Sequence, residues 1–503
     1  MSLLGGVAIL PTNRDLRAAS LLALFAAAGS AVATEAAPSP PAVAEATEPS
    51  ATLSAPATDA RAQAHAEFRA LLDAGDYAAA VERAQAVVQL TERGPATEPE
   101  ELQSALMNLG LAQYRAGNYL AAETSYLRVI ELIEAAGRLT SPRLARAHAG
   151  LGITYHAARR YDLAAVSLER AIALNRRAEG LFNAEQLPLL EKQADSLSEL
   201  GRFDEALLAR RYALRVVGRR QGEESLPFAR ELESLGRWYT RVRSYEAARV
   251  TLRRAADLVV SLEGQDSHEL VGPLSGLAEN ARRWLLDPQL RESSAVDEER
   301  RALLHDTMPA PPSMSMSTIA SEGLRALERA AAIVDASPDT PPALVAAVHS
   351  QLGDWHQARQ LPERARPHYR RAWQAAGAVP DGGSLQQSLF GAPVLIRYTV
   401  PESWDRYAGR PAEEAERRYV EIELTVTADG EVRDPVVVSD TGDPRLAGQA
   451  LRAVATARYR PRLVEGEPQE TGGVRFIQPF YVLIEAAPAE PPAPAAPQGQ
   501  GRG

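Results

Sequence analysis

The stretch LMNLGLAQYRAGNYLAAETSYLRVIEL, Leu106–Leu132, decides the fold. It reads as one helical pattern, a turn, then an aromatic and small residues opening a second helical pattern. The turn recurs. Gly75-Asp76-Tyr77 is followed by Ala80, Gly117-Asn118-Tyr119 by Ala122, and Arg159-Arg160-Tyr161 by Ala164. Gly201-Arg202-Phe203 is followed by Ala206, and Arg243-Ser244-Tyr245 by Ala248. The aromatics Tyr77, Tyr119, Tyr161, Phe203 and Tyr245 thus stand 42 residues apart. A second column keeps the interval: Leu109-Gly110, Leu151-Gly152, Gln193-Ala194, Leu235-Gly236 and Leu277-Ala278. A small residue there lets two helices approach closely, the aromatic fills the space between them, and the alanine lets the second helix pack. Each unit is a helix hairpin that cannot bury its apolar face alone, so neighbours must stack to bury it together. The expected fold is an all-α solenoid followed, as the C-terminal sequence shows below, by a small α+β domain.

The register breaks after Tyr245, because a further 42 residues lands on Asp287-Pro288. LRRAADLV at Leu252 is echoed by LERAAAIV at Leu327 and YRRAWQAA at Tyr369, steps of 75 and 42. Leu277-Ala278 is likewise followed 75 residues later by Leu352-Gly353. One insertion of 33 residues therefore interrupts the sixth unit, near 287–317, and includes the loop-like MPAPPSMSMS. Seven units fit into 61–377, with Pro362 in the seventh where the aromatic should stand. Such an insertion projects from one face of a solenoid, often the binding face, or is a tolerated surface loop.

The pattern resembles the tetratricopeptide repeat: Leu-Gly in the first helix, Gly-x-Tyr-x-x-Ala at the turn, and a hydrophobic finish. The family's usual unit is shorter, so a 42-residue period implies longer helices. The resemblance implies a concave groove that binds peptides or helices through columns of side chains.

At Val379-Pro380-Asp381-Gly382-Gly383 the helical pattern stops, and 389–485 reads differently. PVLIRYTV (Pro393–Val400) reads as a strand. RYVEIELTVTADGEVRDPVVVSD alternates on both sides of Asp429-Gly430, a hairpin signal. Pro444–Tyr459 is helical with Leu446, Ala450, Leu451 and Val454 on one face, and Arg475–Glu485 is a closing strand. These residues resemble the C-terminal domain of TonB-type energy transducers, through Asp429-Gly430, Ala450-Leu451, Tyr459, Pro461, and Gly466 with Pro468. The resemblance implies recognition of outer-membrane receptors by strand addition, with Arg475–Leu483 as the edge. Three departures count against energy transduction. Transducers carry a histidine in an uncleaved N-terminal helix, whereas the first histidine here is His65. Their Tyr-Pro pair is replaced by YTVPESWDRY. The Pro-rich tether is short and lacks Glu-Pro and Lys-Pro blocks.

At 503 residues the chain holds more than one domain. Its net charge of −10 argues against broad nucleic-acid binding. With no cysteine, disulfides, thiolate metal sites and cysteine catalysis are excluded. Arg14 and Arg17 precede the apolar run Ala18–Ala33, which ends Ala31-Val32-Ala33. That is the pattern of a secretory signal over 1–33, cleaved after Ala33; a membrane anchor is the alternative. Residues 34–60 read as a Pro/Ala-rich flexible tether and 486–503 as a disordered tail.

No nucleophile elbow, phosphate loop, zinc-protease helix or dinucleotide fingerprint is present. His349 and His356 share a helix face but supply too few ligands for a metal, and read as ordinary repeat surface. Arg458, Arg460 and Arg462 alternate along one side of an extended segment. They would meet an acidic partner or an anionic saccharide, or simply charge a solvent-facing strand edge. The expected function is a non-enzymatic periplasmic scaffold with protein or peptide partners in the cell envelope, no cofactor and no nucleic acid. It contacts membrane only if the N-terminal segment stays uncleaved. The alternative is a membrane-anchored transducer or an accessory of receptor transport.

Overall fold

The computed structural model describes residues 7–9, 55–94, 98–287, 315–380, 382–401 and 415–483. They fall into two compact bodies, one spanning 29–280, the other 281–503 together with 1–28.

The first body is a series of helix hairpins: α1 (Ala55–Asp73) with α2 (Tyr77–Arg93), α3 (Pro99–Arg115) with α4 (Tyr119–Ala135), and α5 (Pro142–Ala157) with α6 (Tyr161–Glu179). Next come α7 (Leu187–Glu199) with α8 (Phe203–Gln221) and α9 (Leu226–Arg241) with α10 (Tyr245–Glu263). Helix α11 (Val271–Leu286) follows. Each recurrent aromatic is the first residue of a second helix. Two positions before it the backbone is left-handed: Gly75 (φ 78), Gly117 (φ 78), Arg159 (φ 60), Gly201 (φ 74) and Arg243 (φ 63). The next amide then reaches back five residues, Asp76 to Leu71 O, Asn118 to Gln113 O, Arg160 to Tyr155 O, Arg202 to Leu197 O and Ser244 to Tyr239 O, at 2.8–3.0 Å. This turn satisfies carbonyls that the end of the first helix would otherwise leave bare.

The two sequence columns interlock. Ala80, Ala122, Ala164, Ala206 and Ala248 are fully buried. Seven residues after each aromatic stand Ala84, Tyr126, Leu168, Arg210 and Leu252, all buried. A Cβ on Gly110 would lie 2.9 Å from the Tyr126 ring, one on Gly152 2.7 Å from Leu168 Cγ, and one on Gly236 2.5 Å from Leu252 Cγ. The glycine of the first helix is therefore the hole into which the second helix inserts its large residue.

The second body holds α12 (Met316–Ala336), α13 (Pro342–Ala358), α14 (Pro362–Gly377) and the short α15 (Gly382–Phe390). The hairpin α13–α14 keeps the same turn: Gln360 has φ 62, and the Leu361 amide reaches His356 O at 3.0 Å. Pro362 replaces the aromatic without breaking the helix, because the first helical residue needs no N–H partner.

The C-terminal module follows, with β1 (Val7–Ile9) contributed from the N-terminal stretch. Its remaining elements are β2 (Val394–Arg397), β3 (Ala415–Val426), β4 (Val432–Asp440), α16 (Pro444–Ala455), β5 (Arg458–Arg460), β6 (Arg462–Val464), β7 (Glu467–Gln469) and β8 (Thr471–Leu483). The main sheet runs β1-β8-β3-β4, with β3 antiparallel to both neighbours and β1 parallel to β8. β2 pairs with β5, and β6 with β7. Alternate residues of β3 and β8 (Val420, Ile422, Leu424, Phe476 and Phe480) meet Leu446, Ala450 and Val454 of α16 in one core.

The structure departs from the sequence reading in places. Helix α1 begins at Ala55, inside the stretch read as tether. The helical pattern does not end at Gly383: α15 follows because Leu389 and Phe390 bury themselves, with the Phe390 ring 6.0 Å from those of Tyr369 and Trp373. β2 is shorter than Pro393–Val400, and the closing strand begins at Thr471 rather than Arg475. Among the described residues no helix is long and apolar enough to cross a membrane. The signal or anchor over 1–33, Val7–Ile9 apart, lies outside the described residues. So do the tether up to residue 54, most of the insertion (288–314) and the tail.

Candidate interaction surfaces

The repeat aromatics do not converge on a site. Tyr77, Tyr119, Tyr161 and Phe203 are half-buried and Tyr245 is buried, each at the same turn of successive hairpins. From α5 to α11 a polar rung joins successive first helices, 40 residues apart each time. His156 Nδ1 meets Ser196 Oγ at 2.9 Å, Trp238 Nε1 donates to Ser198 Oγ at 2.9 Å, and Thr240 Oγ1 donates to Asn280 Oδ1 at 3.1 Å. At the N-terminal end, Arg61, His65, Glu101, Asn108 and Arg143 line an open cleft of about 600 Å³, with Arg61 paired to Glu101 at 2.5 Å.

Arg210 is the exception in its column. Only 1% exposed, it reaches Asp195 Oδ1 at 2.9 Å, Ser234 Oγ at 3.2 Å and Glu191 Oε1 at 3.4 Å. Arg241, from the next hairpin, meets the same Asp195 oxygen at 2.9 Å. Burial pushes the Asp195 carboxyl up, but Arg241 and Arg210 outweigh it and hold it below its usual range. Burial pushes Glu231 up to about 7 and His156 down to about 4. The sequence signal for this centre was present: a charge standing in a column otherwise filled by Ala84, Tyr126, Leu168 and Leu252.

His349 and His356 are buried and are not the repeat surface that the sequence suggested; His368 of α14 lies against both, and Asp335 of α12 against His349. His349 Nε2 lies 3.1 Å from Asp335 Oδ2, and its Nδ1 lies 3.1 Å from Nδ1 of His368. An ionised carboxylate only accepts, so Nε2 of His349 carries the proton and, in the neutral ring, Nδ1 accepts from His368. The His356 ring lies parallel to that of His368 at 5.6 Å. Burial holds all three below their usual value, His368 at about 4. His349 and His356 are two helical turns apart, about 10 Å along the axis, too far to share one ion. Among the described residues no three His, Cys, Asp or Glu are arranged to hold a metal. The sequence offered no signal joining His368 and Asp335 to His349, since they lie on three different helices.

The residues that carried the second resemblance divide into two groups. Ala450 and Tyr459 lie in the module's core, with Leu451 packed against it. Pro461 is buried between β5 and β6, and Pro468 is half-buried in β7. Asp429, Gly430 and Gly466 face the last hairpin instead. Asp429 Oδ1 accepts from Arg366 Nη2, and its backbone carbonyl from Gln357 Nε2, both at 2.5 Å. Gly430 has φ 72, and a Cβ there would lie 2.0 Å from the Tyr459 carbonyl oxygen and 2.1 Å from Gln357 Nε2. Gly466 sits against the Trp373 ring.

The alternating arginines are not one solvent-facing row, because Pro461 separates β5 from β6. Arg462 is exposed and Arg458 pairs with Glu431 at 3.1 Å. Arg460 is buried. Its Nε and Nη2 bond the two Asp354 carboxylate oxygens at 2.9 and 2.6 Å, and its Nη1 donates to Leu389 O at 2.8 Å.

The module leaves two sheet edges. On β8, Arg475–Ile477 pair with Val7–Ile9; along Gln478–Leu483 no strand lies on that side among the described residues. On β4, Val436 and Val438 are exposed.

Comparison with known proteins agrees with both halves. Residues 101–177 match the tetratricopeptide repeat family, and 407–477 match the Gram-negative bacterial TonB protein C-terminal family, which is envelope-associated. Similar solved structures include the TPR-like repeats of a putative kinesin light chain from Podosopora anserina (17% identity, 41% of this chain, 97% of that chain, TM-score 0.37). Others are BtubC from P. vanneervenii (21%, 47% and 94%, 0.33) and the quorum sensor NprR from B. thuringiensis in its apo form (14%, 63% and 87%, 0.33). No curated protein matches. Tetratricopeptide repeats and TonB C-terminal segments both point to protein–protein interaction.

Proposed function

We propose that this chain is a non-enzymatic periplasmic scaffold, joining a tetratricopeptide repeat array to a TonB-type module that takes a partner's extended segment at its sheet edge. The observation that carries the reading is the β8 edge. It pairs with the short apolar strand Val7–Ile9, a segment that cleavage after Ala33 would remove to free this edge, and no strand lies beside Gln478–Leu483 among the described residues. Backbone hydrogen bonds along such an edge supply affinity with little demand on sequence. The first helices of the repeats, with their polar and charged inner residues, offer the second binding face. Secretion by the run ending at Ala33 would place both in the periplasm.

The test is site-specific photo-crosslinking of the full chain in a Gram-negative host, with the probe at Leu483 or at Lys192 on α7. The reading predicts discrete adducts with envelope proteins and none from a probe at Arg445, an exposed site on α16. It also predicts release by osmotic shock of a chain beginning at Thr34. A chain that yields no adduct at either position, or stays in the cytoplasm, contradicts it.

A further inference from the structure

No hairpin follows α13–α14 among the described residues, yet two polar groups of α13, those of Asp354 and Gln357, are met by the C-terminal module. In the first body α7 presents two such groups to its successor. Asp195 accepts from Arg241 Nη2 at 2.9 Å, and Ser198 Oγ accepts from Trp238 Nε1 at 2.9 Å. The residues of α13 at the same register, 159 positions on, are Asp354 and Gln357. That interval is three periods plus the insertion.

Both positions are engaged, the carboxylate again by a guanidinium and the polar side chain again by a hydrogen bond, accepted by Ser198 and donated by Gln357. Asp354 takes a guanidinium, now that of Arg460 in β5, at 2.9 and 2.6 Å. Gln357 makes a polar rung, now to the Asp429 carbonyl at 2.5 Å. The inward partner is matched as well. Asp195 is supported from its own second helix by Arg210, and Asp354 from its own second helix by the Tyr369 hydroxyl at 3.0 Å. Arg210 and Tyr369 occupy the same place in their hairpins, seven residues after the turn position.

We infer that the TonB-type module is the terminal cap of the last hairpin, standing residue for residue where a further hairpin would stack. Further contacts complete the cap. Arg397 Nη1 donates to Ala358 O at 3.2 Å, satisfying a carbonyl at the end of α13. Arg370 of α14 grips Glu467 with two bonds of 3.0 Å, and the Gly466 turn covers Trp373. An open-ended stack exposes its apolar interior and needs a terminal layer to cover it; here a fold of a different class does so. The module is consequently held to α13–α14 rather than carried on a tether. Its Asp429-Gly430 and Gly466 turns are consumed in docking, which leaves the sheet edges for partners.

Amide hydrogen exchange on the full chain tests this. Arg460→Met keeps the apolar stem and removes the charge. Exchange across 342–377 should quicken by about tenfold or more, while β3 and β8 amides stay protected. Gln357→Ala should quicken the same helices by about threefold. Arg462→Ala, at the exposed neighbour, should change nothing. Unaltered exchange over 342–377 in both Arg460→Met and Gln357→Ala, with the module still protected, overturns the inference. If Arg460→Met fails to fold, unaltered exchange in Gln357→Ala overturns it alone. This outcome is independent of whether any partner is captured at the β8 edge.

Discussion

The interface between the fourth and fifth hairpins and the interface between the last hairpin and the C-terminal module perform one task with different material. In the first, α7 faces another copy of itself, shifted by one period. In the second, α13 faces a mixed sheet. The internal register of the two hairpins is the same, with Ala194 and Arg210 in α7–α8 standing where Gly353 and Tyr369 stand in α13–α14. Gly353 makes room for Tyr369 in the last hairpin, where a Cβ would fall 2.4 Å from the ring, as Gly236 makes room for Leu252 in the fifth. Only the outward partner changes. What the two interfaces share is the pair of groups the hairpin presents, a carboxylate and a polar side chain one turn apart. A different fold closes the stack here by supplying a guanidinium to the carboxylate and a hydrogen-bonding group that suits the polar side chain, an indole N–H for Ser198 and a carbonyl for Gln357.

The largest expected effect bears on the mixed interface. Gly430→Ala adds a Cβ against the Tyr459 carbonyl and Gln357 in a left-handed backbone, and neither the carbonyl nor the turn can retreat cheaply. The loss should be roughly 3 kcal/mol or more, read as a fall in denaturant midpoint. Gly448→Ala on α16, where a Cβ meets only the tip of Arg452 at 3.4 Å, should be neutral or stabilising. Equal losses from the two would mean that the Asp429-Gly430 turn is not an anchor.

A middle-sized effect separates the two interfaces by pH. His349, His356 and His368 are neutral in the fold, with His368 held at about 4. The unfolded chain takes up protons on these rings near the usual histidine value of about 6.5. Their stabilisation is therefore complete above that value and is lost as pH falls toward 4. Asp335 and Arg371 on one side, and Arg359 and Arg364 on the other, are the charges that face the rings. Around Asp195 the response is divided. His156, held at about 4, behaves like the three rings, but Glu231, pushed up to about 7, stabilises at low pH and loses that contribution as pH rises through 7. Between pH 7 and 5, hydrogen exchange corrected for its intrinsic rate should quicken more in α13–α14 than in α7–α10. His368→Asn should flatten the difference, and a parallel response of the two regions would refute it.

The smallest effect concerns what both interfaces share, the turn. Arg159, Arg243 and Gln360 hold a left-handed backbone that glycine holds elsewhere. Replacing either arginine by glycine should raise stability by up to about 1 kcal/mol, since strain relief of 1–2 kcal/mol is partly offset by the entropy of glycine. Thermal melting checks the sign.

The hairpins were legible because their chemistry is periodic. Each aromatic opens a helix and each following alanine is buried. The module's strand–hairpin–helix–strand order was legible from alternation and the Asp429-Gly430 turn. What could not be read was everything lacking a period. Asp354 and Arg460 lie 106 residues apart on elements of different class, so no spacing links them. Arg460 looked like a member of a solvated arginine row because alternation reports a face, not what covers it. His368 joined His349 through the packing of α14 on α13, and α15 was hidden by the Gly-rich break before it.

Paired double-mutant cycles test the central equivalence most directly. One cycle combines Asp354→Asn with Arg460→Met and the other Asp195→Asn with Arg241→Met, both measured by denaturant unfolding of the full chain. Coupling energies of the same sign are expected in both cycles, each within about 0.5–3 kcal/mol. Additivity at Asp354–Arg460 alongside clear coupling at Asp195–Arg241 would contradict it, by showing that the module rests beside the last hairpin without replacing a repeat.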